Sequence, residues 1–259
     1  MTIFSRLPEW ACFIATLIFV QFSHEVGFRI GTRRRLKPGD NPETSAGTIS
    51  GTVIGLLAFL LAFTFNGASS HYDLRKELVI EEANAVRTTY QRSLQLPAPY
   101  RAKVRDLLEE YVDIRLKVRG FRKADLSRAL ARTLAIQDDL WSVVLTLQQK
   151  EPNAPMLVLF TQSLNEVFDL HVKRVNAIFQ SRISIIVWSV LYLLTFITMA
   201  MMGYRIGLSG LRSTFMEITL ALAFSSVLIV IVSLDRPNGW IRIEPKSLID
   251  VLNMLRAGG

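Results

Sequence analysis

The chain has 259 residues, half of them apolar, and a net charge of +8. That length fits one large soluble domain or a membrane protein with a modest polar part, and the apolar residues decide for the second, because they gather into a few long runs instead of recurring at amphipathic spacing. The positive balance is not read as nucleic-acid binding, since no basic recognition motif is present; it fits loops that face anionic lipid headgroups.

A hydrocarbon core about 30 Å thick takes roughly 20 predominantly apolar residues as helix. The first span is expected over Leu7 to Phe28. Its strongly apolar part, Trp10 to Phe22, is too short to cross alone, so Ser23 to Phe28 are expected at least partly at membrane depth. Gln21, Glu25 and Arg29 stand at i, i+4 and i+8 and form one stripe. Ionisable residues in a span face a bundle interior or a wet cavity, or they pair at the interface. Cys12, the single cysteine, allows no disulfide and no thiolate metal site. The N-terminus does not read as a cleaved signal peptide: Arg6 is offset by Glu9, and no small-x-small pattern follows the apolar run.

After a basic, turn-rich loop comes a second span at about Thr48 to Phe65. Gly47, Gly51 and Gly55 repeat every four residues and Ala58 and Ala62 continue a small surface, a spacing that lets helix backbones approach in lipid. Phe59 and Phe63 stand one turn apart on a nearby face. No breaker appears before Pro97, so one helix about 70 Å long is expected from Thr48 to Leu94. Helical periodicity continues over Tyr100 to Arg119 and Lys123 to Gln149, punctuated by Gly120 and by Pro152 and Pro155. From Met156 it is expected to run without interruption into a third span, Ile183 to Met202. A fourth follows at Phe215 to Leu234, then the turn signal Asp235-Arg236-Pro237-Asn238-Gly239 and a short amphipathic helix with Leu248, Val251, Leu252 and Leu255 on one side.

The reading is an all-α membrane protein with four transmembrane helices and an extramembrane helical bundle between helices two and three, with long helices continuous with both. In residue numbers, 1–65 holds the first two membrane helices with a basic loop at 29–47, 66–182 the bundle, 183–234 the third and fourth membrane helices, and 235–259 the tail. Arg29, Arg33, Arg34, Arg35 and Lys37 follow the first span, so the positive-inside rule puts that loop in the cytoplasm and the bundle outside.

The catalytic inventory is thin. His24, His71 and His171 show no metal-ligand spacing, and neither a phosphate-binding glycine loop nor a nucleophile elbow is present. Glu77, Glu81 and Glu82 form an acidic group that could bind a cation or be matched structurally by arginines. No enzyme activity, cofactor or metal is expected.

Several segments resemble a family of bacterial integral membrane proteins described as bestrophin-like. They are Gly55 to Phe65, Glu81-Glu82-Ala83-Asn84-Ala85, Tyr111-Val112-Asp113-Ile114-Arg115, and Leu234-Asp235-Arg236-Pro237-Asn238-Gly239. The resemblance implies a bacterial inner-membrane protein. It extends more loosely to bestrophins proper, which are pentameric anion channels whose second helix lines the pore. It therefore implies a homo-oligomer, a pentamer, passing small ions, with Phe59 and Phe63 at neck positions and Gly55 where a third, bulkier neck residue is expected. Bestrophins place the helical domain in the cytoplasm, the opposite of the charge bias. The alternative is a membrane-anchored helical-bundle sensor or interaction protein that acts through a partner.

Overall fold

The computed structural model describes residues 8–34, 43–117, 123–151, 154–179, 182–209, 214–236 and 240–258. Arg6, Leu7, Arg35, Lys37, Arg119, Gly120, Pro152, Pro237, Asn238 and Gly239, named above, lie outside the described residues. Among the described residues the chain forms α1 (Glu9–Arg33), α2 (Glu43–Ser93), α3 (Ala98–Lys117), α4 (Lys123–Lys150), α5 (Pro155–Phe179), α6 (Ile185–Ser209), α7 (Thr214–Asp235) and α8 (Lys246–Ala257), and no strand. Four helices are long and apolar enough to cross a membrane: α1, the Ile49–Ser93 part of α2, α6 and α7.

Two compact units emerge, Met1–Tyr72 with Arg182–Arg242, and Asp73–Ser181 with Ile243–Gly259. In the first, α1 packs on α6 and α7. Its buried apolar groups form small separate clusters, such as Cys12 with Ile229 and Val232, and Val20 with Met199 and Ala221. Lipid tails are as apolar as leucine, so little is gained by one large core; backbone approach holds such helices together. Gly27 and Gly31 of α1 lie against Ala200, Tyr204 and Gly207 of α6, and a Cβ added at either would fall on a main-chain carbonyl. Gly203 and Gly207 return the contact against His24 and Phe28. The order of these pairs makes α1 and α6 parallel, and the order of the α7 clusters makes α1 and α7 antiparallel.

The second unit has one extended core. The part of α2 after Tyr72 contributes Val79, Ala83 and Val86, α3 contributes Val104, Leu108 and Tyr111, α4 Ile136 and Leu140, and α5 Phe160, Leu164 and Val167. Leu248, Val251, Leu252 and Leu255 of α8 join it, and Arg256 on the same helix bonds Glu109 of α3 at 2.8 Å.

Two boundaries differ from the sequence reading. The first helix does not stop at Phe28 but continues to Arg33, which shortens the basic loop; no breaker interrupts it, and Glu25 and Arg29 tie one turn to the next. The expected uninterrupted helix from the bundle into the third span is corrected: α5 ends at Phe179, α6 begins at Ile185, and residues 182–184 are not helical. The physical reason is a side chain distant in sequence. Asp235, at the end of α7, accepts the Ile183 amide proton at 2.9 Å, so this amide bonds a carboxylate and not a carbonyl one turn back.

Candidate functional site

The membrane part of α2 packs by one face. Leu57 meets Leu191 and Leu228, and Ala68 meets Ile231 and Leu234. Phe59 lies roughly 200° around the helix from Leu57, and it is 69% exposed, with Phe63 at 68%. Gly51 and Gly55 have open space where a Cβ would be, and Gly47 has the Arg205 guanidinium 3.8 Å from that point. Among the described residues the glycine series packs against no other helix backbone. The glycines packed against a neighbouring backbone are Gly27, Gly31, Gly203 and Gly207, two pairs with the same four-residue spacing as the α2 series.

Of the four candidate spans among the described residues, α2 is the least covered. Within the most apolar window only 17% of its residues are buried, against 33%, 22% and 39% for α1, α6 and α7. Along the helix, Phe59, Phe63, Asn66, Ser70, Asp73, Glu77, Glu81 and Asn84 follow one another within about 40° of a single line, and each is exposed.

Glu82 departs from its neighbours. Glu77 and Glu81 are exposed, while Glu82 is fully buried on the opposite side of α2, so the three do not form one site. No group of three or more histidine, cysteine or acidic side chains gathers to hold a metal among the described residues. Glu82 instead accepts the Tyr111 hydroxyl proton at 2.5 Å and forms an ion pair with the Arg115 guanidinium at 3.0 Å, with the Arg174 guanidinium paired to its other oxygen. Tyr111 and Arg115 stand one turn apart on α3, which is why one segment supplies both donors. Two of the sequence segments quoted above thus meet at one buried carboxylate; Arg174, from α5, carried no sequence signal.

Burial sets the protonation of this cluster. It pushes the Tyr111 hydroxyl up to about 12, and Arg115, the weaker influence, acts the other way. Burial lowers Arg115 and brings Arg174 down to about 10; a guanidinium keeps its proton in proteins near neutrality. The ring of His171 lies 6.4 Å from that of Tyr111. Burial, then the positive charge of Arg115, holds His171 down to about 4, so it is neutral. One carboxylate therefore faces two guanidinium groups, a net charge of +1 inside an apolar core.

The remaining candidates separate. Arg29 bonds Glu25 at 2.7 Å as an exposed pair, and Gln21 is half-buried on the same helix. The deeply buried polar residues of the spans are others, including Ser23 and His24 on α1 and Glu217 on α7. Asn84 is exposed, and Asp113 pairs with Lys117. Asp235 holds Ile183 and lies 3.7 Å from His71, and Arg236 reaches Cys12 Sγ at 3.2 Å.

Four apolar helices joined to a polar helical part define a multi-pass, all-helical membrane protein. Residues 14–248 match the bestrophin-like domain, and the chain belongs to that family. The structure is similar to crystal structures of a bacterial bestrophin homologue from Klebsiella pneumoniae. One variant of it aligns with TM-score 0.67 and 16% identity over 94% of this chain and 97% of that chain. A second variant aligns with TM-score 0.67 and 14% identity over 95% and 96%. A crystal structure described as a membrane protein aligns with TM-score 0.68 and 15% identity over 95% and 96%. No curated protein matches the chain.

Proposed function

We propose that copies of this chain assemble into a closed ring and conduct small ions along a pore lined by α2. The observation that carries this reading is the unpacked stripe of α2, where glycines and two phenylalanines are left uncovered by the rest of the chain. A ring of subunits would bury that stripe around a shared axis. Phe59 and Phe63 are about 6 Å apart along the helix and would stack as two hydrophobic rings that resist wetting. Gly55 adds no bulk, so this neck has two rings. The likeness to bestrophin structures supports a channel over a catalyst, and bestrophins suggest five copies.

The resemblance implies anions, and a net charge of +8 raises their concentration at a distance. The stripe carries Asp73, Glu77 and Glu81, while the basic residues of the same stretch stand off it, Arg75 buried and Lys76 exposed about 100° around the helix. Carboxylate rings favour cations, and charge beside the path outweighs charge elsewhere because salt screens beyond about 10 Å. The proposed channel therefore prefers small cations.

The test is flux from liposomes that contain the purified full chain. Phe59→Ala and Phe63→Ala are expected to raise flux by widening the neck, and a potassium chloride gradient is expected to give a reversal potential on the cation side. Flux equal to that of empty liposomes would refute conduction. Flux unchanged by both substitutions would remove these residues from the path, and an anion-side potential would reject the role given to the carboxylates.

A further inference from the structure

Between α1 and the start of α6 lies a groove of about 380 Å³, lined by Ala15, Thr16, Phe19, Trp188, Ser189 and Tyr192. Its hydroxyls are engaged by the protein itself. Thr16 and Tyr192 share a hydrogen bond at 3.0 Å, and Ser189 donates to the Ile185 carbonyl at 2.9 Å. The groove therefore offers an apolar surface with little to hold a polar ligand, and it lies within two membrane-crossing helices, where the surrounding solvent is lipid.

The end of the groove is basic. Trp188 packs on the cluster of Cys12, Ile229 and Val232, and the Arg236 guanidinium reaches Cys12 Sγ at 3.2 Å. Arg182 is exposed just ahead of α6, and Arg242 is exposed just beyond Trp240. The acids at this end are turned inward. Glu9, 6% exposed, accepts the Ser233 hydroxyl at 2.7 Å and the Trp240 amide at 2.9 Å, while Asp235, 8% exposed, holds Ile183. Among the described residues of this unit no carboxylate is exposed at this end, and Glu244, two residues beyond Arg242, is exposed but pairs with Lys246 at 3.0 Å. Trp10 and Trp240, each 60% exposed, are brought near each other by the Trp240 amide bonding Glu9, and exposed tryptophans suit the headgroup layer.

We propose that this is a binding site for an acidic phospholipid, with one acyl chain in the α1–α6 groove and the phosphate against Arg236 and Arg182. Apolar groove, arginines and tryptophans are stacked in the order of chain, phosphate and interface that such a lipid presents, and cationic pockets between membrane helices suit anionic headgroups. The site is complete within one chain and does not depend on the proposed pore.

The experiment is native mass spectrometry of the full chain in mild detergent, with phosphatidylglycerol or phosphatidylcholine of identical acyl chains added at equal concentration. The protein is expected to retain phosphatidylglycerol at least five-fold more than phosphatidylcholine. Ser189→Leu, at an exposed position that fills the groove, is expected to reduce retention of both lipids. Arg236→Gln is expected to reduce phosphatidylglycerol alone, and Arg182→Gln, at an exposed residue outside any core, tests the same preference should Arg236→Gln destabilise the fold. Equal retention of the two lipids overturns the proposal, as does phosphatidylglycerol retention that survives Ser189→Leu and both arginine substitutions.

Discussion

Replacing Glu82 with glutamine removes the only negative charge from a cluster that contains two buried arginines. Glu82 is 0% exposed, and the side chains of Arg115 and Arg174 are 4% and 10% exposed, so solvent cannot take over the lost role. Breaking a buried ion pair by removing one partner costs about 3–5 kcal/mol, because the remaining charge is left uncompensated. Here two like charges remain, so the upper end applies. Removing one arginine has a different effect. Arg115→Met leaves Glu82 neutralised by Arg174 and sacrifices one of its two ion pairs, a smaller loss of about 1.5–3 kcal/mol, comparable to one interaction with a charged group. Tyr111→Phe removes the bond at 2.5 Å without changing any charge and belongs in the same smaller range. Thermal unfolding of the purified full chain, followed by circular dichroism, reads these as shifts in apparent midpoint of roughly 2–4 °C per kcal/mol. Glu82→Gln is therefore expected to lower the midpoint by about 10 °C or more, and by clearly more than either of the others. A loss for Arg115→Met equal to or larger than that for Glu82→Gln would refute the charge argument.

Three further outcomes follow from the same structure. Gly27→Ala and Gly203→Ala each place a Cβ on a main-chain oxygen of the partner helix and are expected to destabilise the membrane unit. Gly51→Ala meets open space within the chain and, since alanine favours helix by about 1 kcal/mol, should be neutral or stabilising to the monomer; equal losses in the two series would refute the assignment of the packing glycines. His171 is held at about 4, below its ordinary 6.5, so the folded state resists a proton that the unfolded state accepts. Its contribution is present above pH 6.5 and is lost as the pH falls toward 4. The ceiling is about 3 kcal/mol, reduced by solvent screening to about 1–2 kcal/mol. His171→Leu should flatten the fall in midpoint between pH 7 and pH 5, and an unchanged slope would contradict the placement of this histidine.

The architecture was readable because long apolar runs and uninterrupted helical periodicity are local signals: the four spans, the length of α2 and the apolar side of α8 all rest on them. What escaped depended on partners distant in the chain. Nothing near Ile183 announces a break, since it is made by Asp235, 52 residues away. Glu82 was singled out with Glu77 and Glu81, but spacing alone could not say which acid points inward, and Arg174 becomes its partner only when α5 is folded against α2. Glycines four apart mark surfaces where helices can approach, but they do not say what approaches. For Gly27 and Gly31 the partner is within the chain, whereas for Gly51 and Gly55 no other helix among the described residues comes within 4 Å of a Cβ position.

The central claim is that the uncovered stripe of α2 faces a shared axis in a ring of identical subunits. Native mass spectrometry of the full chain released from mild detergent tests it most directly. The account predicts one closed assembly of several copies, five by analogy with bestrophins, which persists as detergent is removed. A monomer or a dimer as the only species would contradict the shared pore and leave the open face of α2 without the partner proposed for it.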